Sequence, residues 1–249
     1  MNRVLEDENK LAEFPCITKM KNLKNLTCSL SALESFRKNR IFLKLNSLTI
    51  RQTRAANVFG FFSNPCFEAE EINIGTLNLN TTPIMEIVNQ KLQFPTVKRF
   101  FYVTNERELH GKLPDFFSNL LRAFIFMFPS LELLELTITT EPIFTTNVDG
   151  QYRPSAAELM ENYKVMKEAI KNCEIPSKIN LVFRNKANLW FKPFVQELST
   201  FNEDLTRVFP EKKIEGRPVW GISEKNDNVE TSMHIGIMRN RTLRPHLGI

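Results

Sequence analysis

The chain has 249 residues and a mass of 29.0 kDa, and with 42% hydrophobic residues it can bury a core of its own, which excludes an intrinsically disordered chain. A formal charge of +5 and a pI near 9.0 are too modest to demand an acidic partner. The four cysteines, Cys16, Cys28, Cys66 and Cys173, stand far apart with no C-x-x-C pair, which argues against a zinc knuckle or a dense disulfide framework and for reduced, buried thiols.

The segment Met1 to Lys10 is acidic and polar, where a secretory signal would open on positive charge and an apolar run. The expected location is therefore inside the cell, in the cytoplasm or the nucleus. The most apolar stretch, Leu113 to Phe128, is interrupted by Asp115, Asn119 and Arg122 and falls short of the ~20 residues that cross a bilayer, so no membrane span is expected. There are 21 Phe against 3 Tyr and 2 Trp, which favours rings packed inside over rings with a polar tip at a wet surface.

A loose apolar frame, L-x-x-L-x-L, returns along the chain. It reads Leu23-x-x-Leu26-x-Cys28, Leu45-x-x-Leu48-x-Ile50 and Ala69-x-x-Ile72-x-Ile74. Weaker copies are Val97-x-x-Phe100-x-Tyr102, Leu131-x-x-Leu134-x-Leu136 and Pro176-x-x-Ile179-x-Leu181. The first steps fall within the ~20–29-residue period of leucine-rich repeats and the later ones are longer.

Helical patterns separate the frames. Thr82 before Pro83 reads as a cap followed by a first-turn proline, with Ile84, Ile87, Val88 and Leu92 as one stripe, which predicts a helix over 83–93. Leu113, Phe116, Phe117, Leu120, Leu121, Phe124 and Phe128 keep three-and-four spacing up to Pro129. Phe126 falls on the polar side of that helix. Ser155-x-x-Glu158 is a capping box, and the stripe Leu159, Tyr163, Met166, Ile170 runs from it toward Pro176.

After Phe209, the runs Val219, Trp220, Ile222 and Met233, Ile235, Ile237 flank the polar turn Glu224 to Asn228 and predict a closing hairpin. Beyond Glu230 there is no acidic residue, but Arg239, Arg241 and Arg244 supply more than half of the +5. The expected fold is therefore α/β: an irregular leucine-rich-repeat-like arc of parallel strands over residues 1–210, with helices on its convex side. A hairpin cap and basic tail occupy residues 211–249.

Chemistry-bearing motifs are sparse. His110, His234 and His246 have no helical four-residue spacing, so no H-E-x-x-H site is available. Gly216 to Ser223 has the glycine spacing of a phosphate loop but places Ile222 where lysine must stand, and Gly221-Ile-Ser223-Glu-Lys225 fails as a nucleophile elbow at its second glycine. The acid pairs Glu106 with Glu108 and Glu203 with Asp204 read as solvated faces. No catalytic residue, cofactor or metal is expected, and the chain is expected not to be an enzyme. Arg239, Arg241 and Arg244, with Lys212 and Lys213 nearby, form the one dense basic cluster and give the alternative of a nucleic-acid-binding module, although no aromatics interleave them for base stacking.

Short L-x-x-L-x-L strands between Phe-rich helices, clearest in Phe128-Pro-Ser-Leu131-Glu-Leu-Leu134-Glu-Leu136, resemble the leucine-rich-repeat-like region of the nematode-expanded F-box proteins over roughly residues 20 to 185. The resemblance implies a region that holds the substrate of a cullin ubiquitin ligase, behind an F-box that docks on the ligase adaptor. Here the frame begins by Leu23, too early for an F-box to precede it, so adaptor docking is not expected of this chain. In an arc of parallel strands the residues between frame positions point away from the core. Thr27, Thr49, Arg51, Asn73, Phe101, Glu135 and Thr137 form this outward set, a concave face for a protein partner with Phe101 as its aromatic anchor. The other reading of Phe101 is that it packs under a loop with Phe100 displaced.

Overall fold

The computed structural model describes residues 2–4, 22–77, 81–106, 114–145, 155–191, 195–214 and 217–239. Among them are β1 (Asn2–Val4), β2 (Asn25–Cys28), α1 (Leu30–Lys38), β3 (Leu43–Thr53), α2 (Ala55–Phe62), β4 (Phe67–Thr76), α3 (Thr82–Asn89) and β5 (Arg99–Glu106). These are followed by α4 (Pro114–Met127), β6 (Leu133–Thr145), α5 (Ala156–Lys171), β7 (Asn180–Phe191), α6 (Val195–Val208), β8 (Glu211–Ile214), β9 (Arg217–Asn226) and β10 (Val229–Arg239). All ten strands share one sheet in the order β1-β2-β3-β4-β5-β6-β7-β10-β9-β8.

β1 to β7 are parallel neighbours in chain order, and β10 lies parallel to β7. Only the β10–β9 and β9–β8 pairs are antiparallel. The chain is thus α/β with a mostly parallel sheet. Right-handed crossovers that always step in one direction place successive helices on one face of such a sheet, and α2 to α6 do pack each against the next.

The register shows why the apolar frame recurs. Leu26, Leu48, Ile72, Phe100, Leu134 and Leu181 stand directly opposite one another across six strands. Cys28, Ile50, Ile74, Tyr102, Leu136 and Phe183 form the next rung, and every member of both rungs is buried. The last frame differs from expectation by two residues: Leu181, not Ile179, is the partner of Leu134. That copy reads Lys178-x-x-Leu181-x-Phe183, with a lysine in the loose first position, its Nζ donating to the Pro129 carbonyl 2.8 Å away.

One helix end also differs from expectation. α3 stops at Asn89, not 93, because Lys91 enters the left-handed region at φ 57, while its N–H and that of Leu92 donate to the Val88 and Ile87 carbonyls. α1 ends the same way at Arg40, φ 55, with Arg40 N–H on Arg37 and Ile41 N–H on Phe36. Both are Schellman turns with a cationic residue where glycine usually stands, so the usual stop signal is missing from the sequence. The N-cap of α3 is Thr81, one residue earlier than expected, with Pro83 in the first turn. The capping box of α5 forms as read: Ser155 Oγ accepts from Glu158 N–H at 3.2 Å, and a Glu158 carboxylate oxygen accepts from Ser155 N–H at 2.6 Å.

The interior is rich in rings. Phe100 contacts Phe128 and Phe124 at centroid distances of 4.5 and 4.8 Å, and Phe94 contacts Phe62 at 5.1 Å. A second buried cluster joins Leu159 and Tyr163 of α5 and Phe201 and Leu205 of α6 to Phe209, Trp220, Met233 and Ile235. It extends to both sides of residue 210, where the expected boundary between arc and hairpin falls. The hairpin itself has a two-residue turn, Asp227-Asn228, since Asn226 already pairs with Val229. The expected turn was five residues long. Asn228 Nδ2 donates to the carbonyls of Pro176, Ser177 and Ile179, tying the turn to the start of β7.

Candidate functional site

The face of the sheet opposite the helices carries the residues between the buried rungs. Thr27, Thr49, Asn73, Phe101 and Glu135 pair in one cross-strand row, which continues through Val182 to Glu230. Arg51 follows the Ile50–Ile74 pair by one residue, and Thr137 stands between Val103 and Arg184 in the next row. All seven expected partner-facing residues, Thr27, Thr49, Arg51, Asn73, Phe101, Glu135 and Thr137, therefore share this face. Among the described residues no helix lies on it.

Two carboxylate-centred networks order the face on either side of Phe101. Glu71 accepts hydrogen bonds from Ser47 Oγ at 3.0 Å, Asn73 Nδ2 at 3.0 Å and Arg99 Nε at 2.8 Å. Arg184 is shared between Glu135 at 3.3 Å and Glu230 at 3.5 Å, and Thr137 Oγ1 donates to Glu135 at 3.4 Å. Phe101 is half-buried between these networks and Val103 beside it is 44% exposed, while Thr137 is buried. Phe100 is fully enclosed on the opposite face and is not displaced. Glu71, Arg99, Val103, Val182, Arg184 and Glu230 belong to the face without having been singled out from the sequence. Residues alternating with the frame could have flagged the first five, but β10 carries no recognisable frame and Glu230 gave no signal.

The other candidates disperse. Ser223 lies on β9 opposite Ser232 of β10, and Gly221 is within the same strand, so neither begins a helix. Gly221 faces a tight spot: an added Cβ would come 2.9 Å from the Met233 carbonyl oxygen. Glu203 and Asp204 sit on α6, Asp204 paired with Arg207 at 3.3 Å. His234 is on β10 between Lys186 and Gly221, whereas His110, His246 and Glu108 lie outside the described residues, as do Cys16 and Gly216. Arg239 ends β10 and Lys212 and Lys213 are in β8, but Arg241 and Arg244 also lie outside the described residues.

The titratable groups of the interior are held in unreactive states. Burial pushes the Cys28 thiol up to about 12 and raises those of Cys66 and Cys173, so all three stay protonated and poorly nucleophilic. Burial likewise pushes Tyr102 up to about 12, its hydroxyl 2.9 Å from Thr76 Oγ1, which is also 2.9 Å from Thr104 Oγ1. Between α5 and β9 the Lys167 ammonium donates to Glu224 at 2.7 Å, lowering the carboxyl and raising the amine. Among the described residues no three His, Cys, Asp or Glu side chains gather as a metal site, and no helix is long and apolar enough to cross a membrane. Comparison with protein-family models, with curated proteins and with solved structures finds no match for this chain.

Proposed function

We propose that the chain is a non-enzymatic protein-interaction module: a short leucine-rich-repeat-like arc, closed by its C-terminal hairpin as a cap, whose concave strand face binds a protein partner. The observation that carries this reading is the strand face itself. Six in-register parallel strands send their alternate residues to one surface on which, among the described residues, no helix lies, and a half-buried aromatic ring stands on it between two ordered polar networks. Aromatic residues ringed by polar groups are where binding energy concentrates at protein interfaces. Repeat arrays commonly use such a surface for recognition.

The resemblance of Phe128 to Leu136 to F-box substrate-binding regions supports a role as a substrate-recognition component of ubiquitin ligation. The test is affinity purification from cells with the wild-type chain and the double variant Arg51→Glu, Phe101→Ala, after matching their melting temperatures. The expected result is loss of a defined set of partners by the variant. Return of the same partners at the same levels refutes the reading, and ubiquitin-ligase subunits among the lost partners would support the substrate-receptor role.

A further inference from the structure

The helix layer is short at α2 and α3, each of eight residues against fourteen in α4. The chain after α3 turns at Lys91 and runs on toward β5, leaving a cavity of about 290 Å³ walled by four rings, Phe42, Phe62, Phe67 and Phe94. Ala69, Ile72 and Val97, all buried, line it as well. These walls are fixed from behind. Phe62 packs edge-to-face with Phe67 and Phe94 at 5.8 and 5.1 Å, while the backbone N–H groups of Leu43 and Phe94 donate to the carbonyls of Cys66 and Met127. Phe42 stays 53% exposed at the edge, although a large apolar side chain gains by burial. Polar groups are few. Glu68, the one charged residue of the lining, already faces Lys44 at 4.0 Å, and the Gln93 amide donates to the Phe126 carbonyl at 3.2 Å. Ser63 and Thr96 add two hydroxyls on exposed residues, which can donate or accept.

We infer that this cavity is a binding site for a small uncharged aromatic molecule of the size of indole, its ring among the four phenylalanines and its one N–H or O–H turned to Ser63 or Thr96. A dry cavity of about 150 Å³ lined by Leu, Ile and Phe is enough for benzene, so roughly twice that volume takes a fused two-ring system. Offset and edge-to-face ring contacts favour an aromatic guest over an aliphatic one. Because Glu68 has its cation in Lys44, the lining calls for no counter-charge, and a charged guest would lose water with nothing in return. None of the lining residues stands in the cross-strand rows of Phe101 and Val103, so the site is separate from the proposed partner-binding face.

The experiment titrates 3-methylindole, tryptamine and indole-3-acetate into the intact chain and follows the Ile72 and Val97 methyl resonances by NMR. The expected result is that 3-methylindole shifts both resonances with a Kd below about 1 mM, and that the two charged analogues bind about tenfold more weakly. Ala69→Leu fills the cavity from within and Thr96→Trp covers it from the exposed rim, and each should weaken 3-methylindole about tenfold. Should Ala69→Leu fail to fold, Thr96→Trp alone decides, its fold checked by an unchanged melting temperature. Resonances that do not move, or binding indifferent to Thr96→Trp, would overturn the inference. A preference for tryptamine would overturn the uncharged ligand and put an amine beside Glu68 in its place. Tighter binding of N-acetyltryptophanamide than of 3-methylindole would overturn the small molecule in favour of an aromatic side chain of a partner protein.

Discussion

Phe100 and Phe101 are adjacent in sequence and lie on opposite faces of β5, so truncating each in turn reads out the assignment of the two faces. Phe100 is fully enclosed, its ring 4.8 Å from Phe124 and 4.5 Å from Phe128. Phe100→Ala removes the ring from the core and leaves a void among rigid neighbours, a change that destabilises by about 3–5 kcal/mol. Phe101 is only half-buried against polar partners, and its truncation is expected to cost no more than about 1.5 kcal/mol. With a urea m-value of roughly 3 kcal/mol/M, Phe100→Ala should lower the midpoint by more than about 1 M and Phe101→Ala by less than about 0.5 M. Urea unfolding followed by circular dichroism, with m held constant between variants, measures both. Equal shifts, or a larger one for Phe101→Ala, would refute the face assignment and the binding surface derived from it.

The same reasoning yields three further expectations. Gly221→Ala forces a methyl to within 2.9 Å of a backbone carbonyl oxygen in the neighbouring strand, so its thermal midpoint should fall by the equivalent of about 1–3 kcal/mol; an unchanged midpoint would show that the β9–β10 pair yields freely. Asn228→Ala strips three carbonyls of their donor, and hydrogen exchange should accelerate across Leu181 to Phe183 and Thr231 to Met233 with a global loss of about 1–2 kcal/mol; exchange confined to the turn would separate the hairpin from β7. In alkali, Cys28 and Tyr102 keep their protons when folded, up to about 12, whereas the unfolded chain releases them from about 9.0 and 10.0. Their stabilisation is therefore complete below pH 9 and lost as pH rises from 9 toward 12. By pH 11 the loss should reach roughly 2–4 kcal/mol relative to pH 8, and Cys28→Ala should flatten the slope between pH 9 and 11. A melting temperature independent of pH over this range would count against the burial of both groups.

The frame was legible because parallel strands packed in register put the same apolar position opposite itself in every unit, so Leu26, Leu48, Ile72, Phe100 and Leu134 repeat as residues before they meet as neighbours. The capping box at Ser155 was legible because both of its hydrogen bonds are local. What was not legible needed partners distant in the chain. Leu181 was hidden behind Ile179 because Lys178 occupies the loose position, and nothing local marks β10 as the neighbour of β7. The ends of α1 and α3 escaped because Arg40 and Lys91 accept a backbone conformation that sequence patterns assign to glycine. The alternation of frame residues with Thr49, Asn73, Phe101 and Glu135 placed the outward face, but its organisation into networks around Glu71 and Arg184 arises between strands.

The position of β10 has a consequence for how the protein is made. All eleven residues of this strand pair with β7, yet it follows β8 and β9 in the chain, so β7 must wait for a hairpin synthesised some forty residues later. Until it arrives, a twelve-residue strand edge with unpaired backbone groups is open to any other strand nearby. A chain stopped at residue 210 would keep that edge permanently, and premature termination there should yield aggregates rather than a smaller soluble protein.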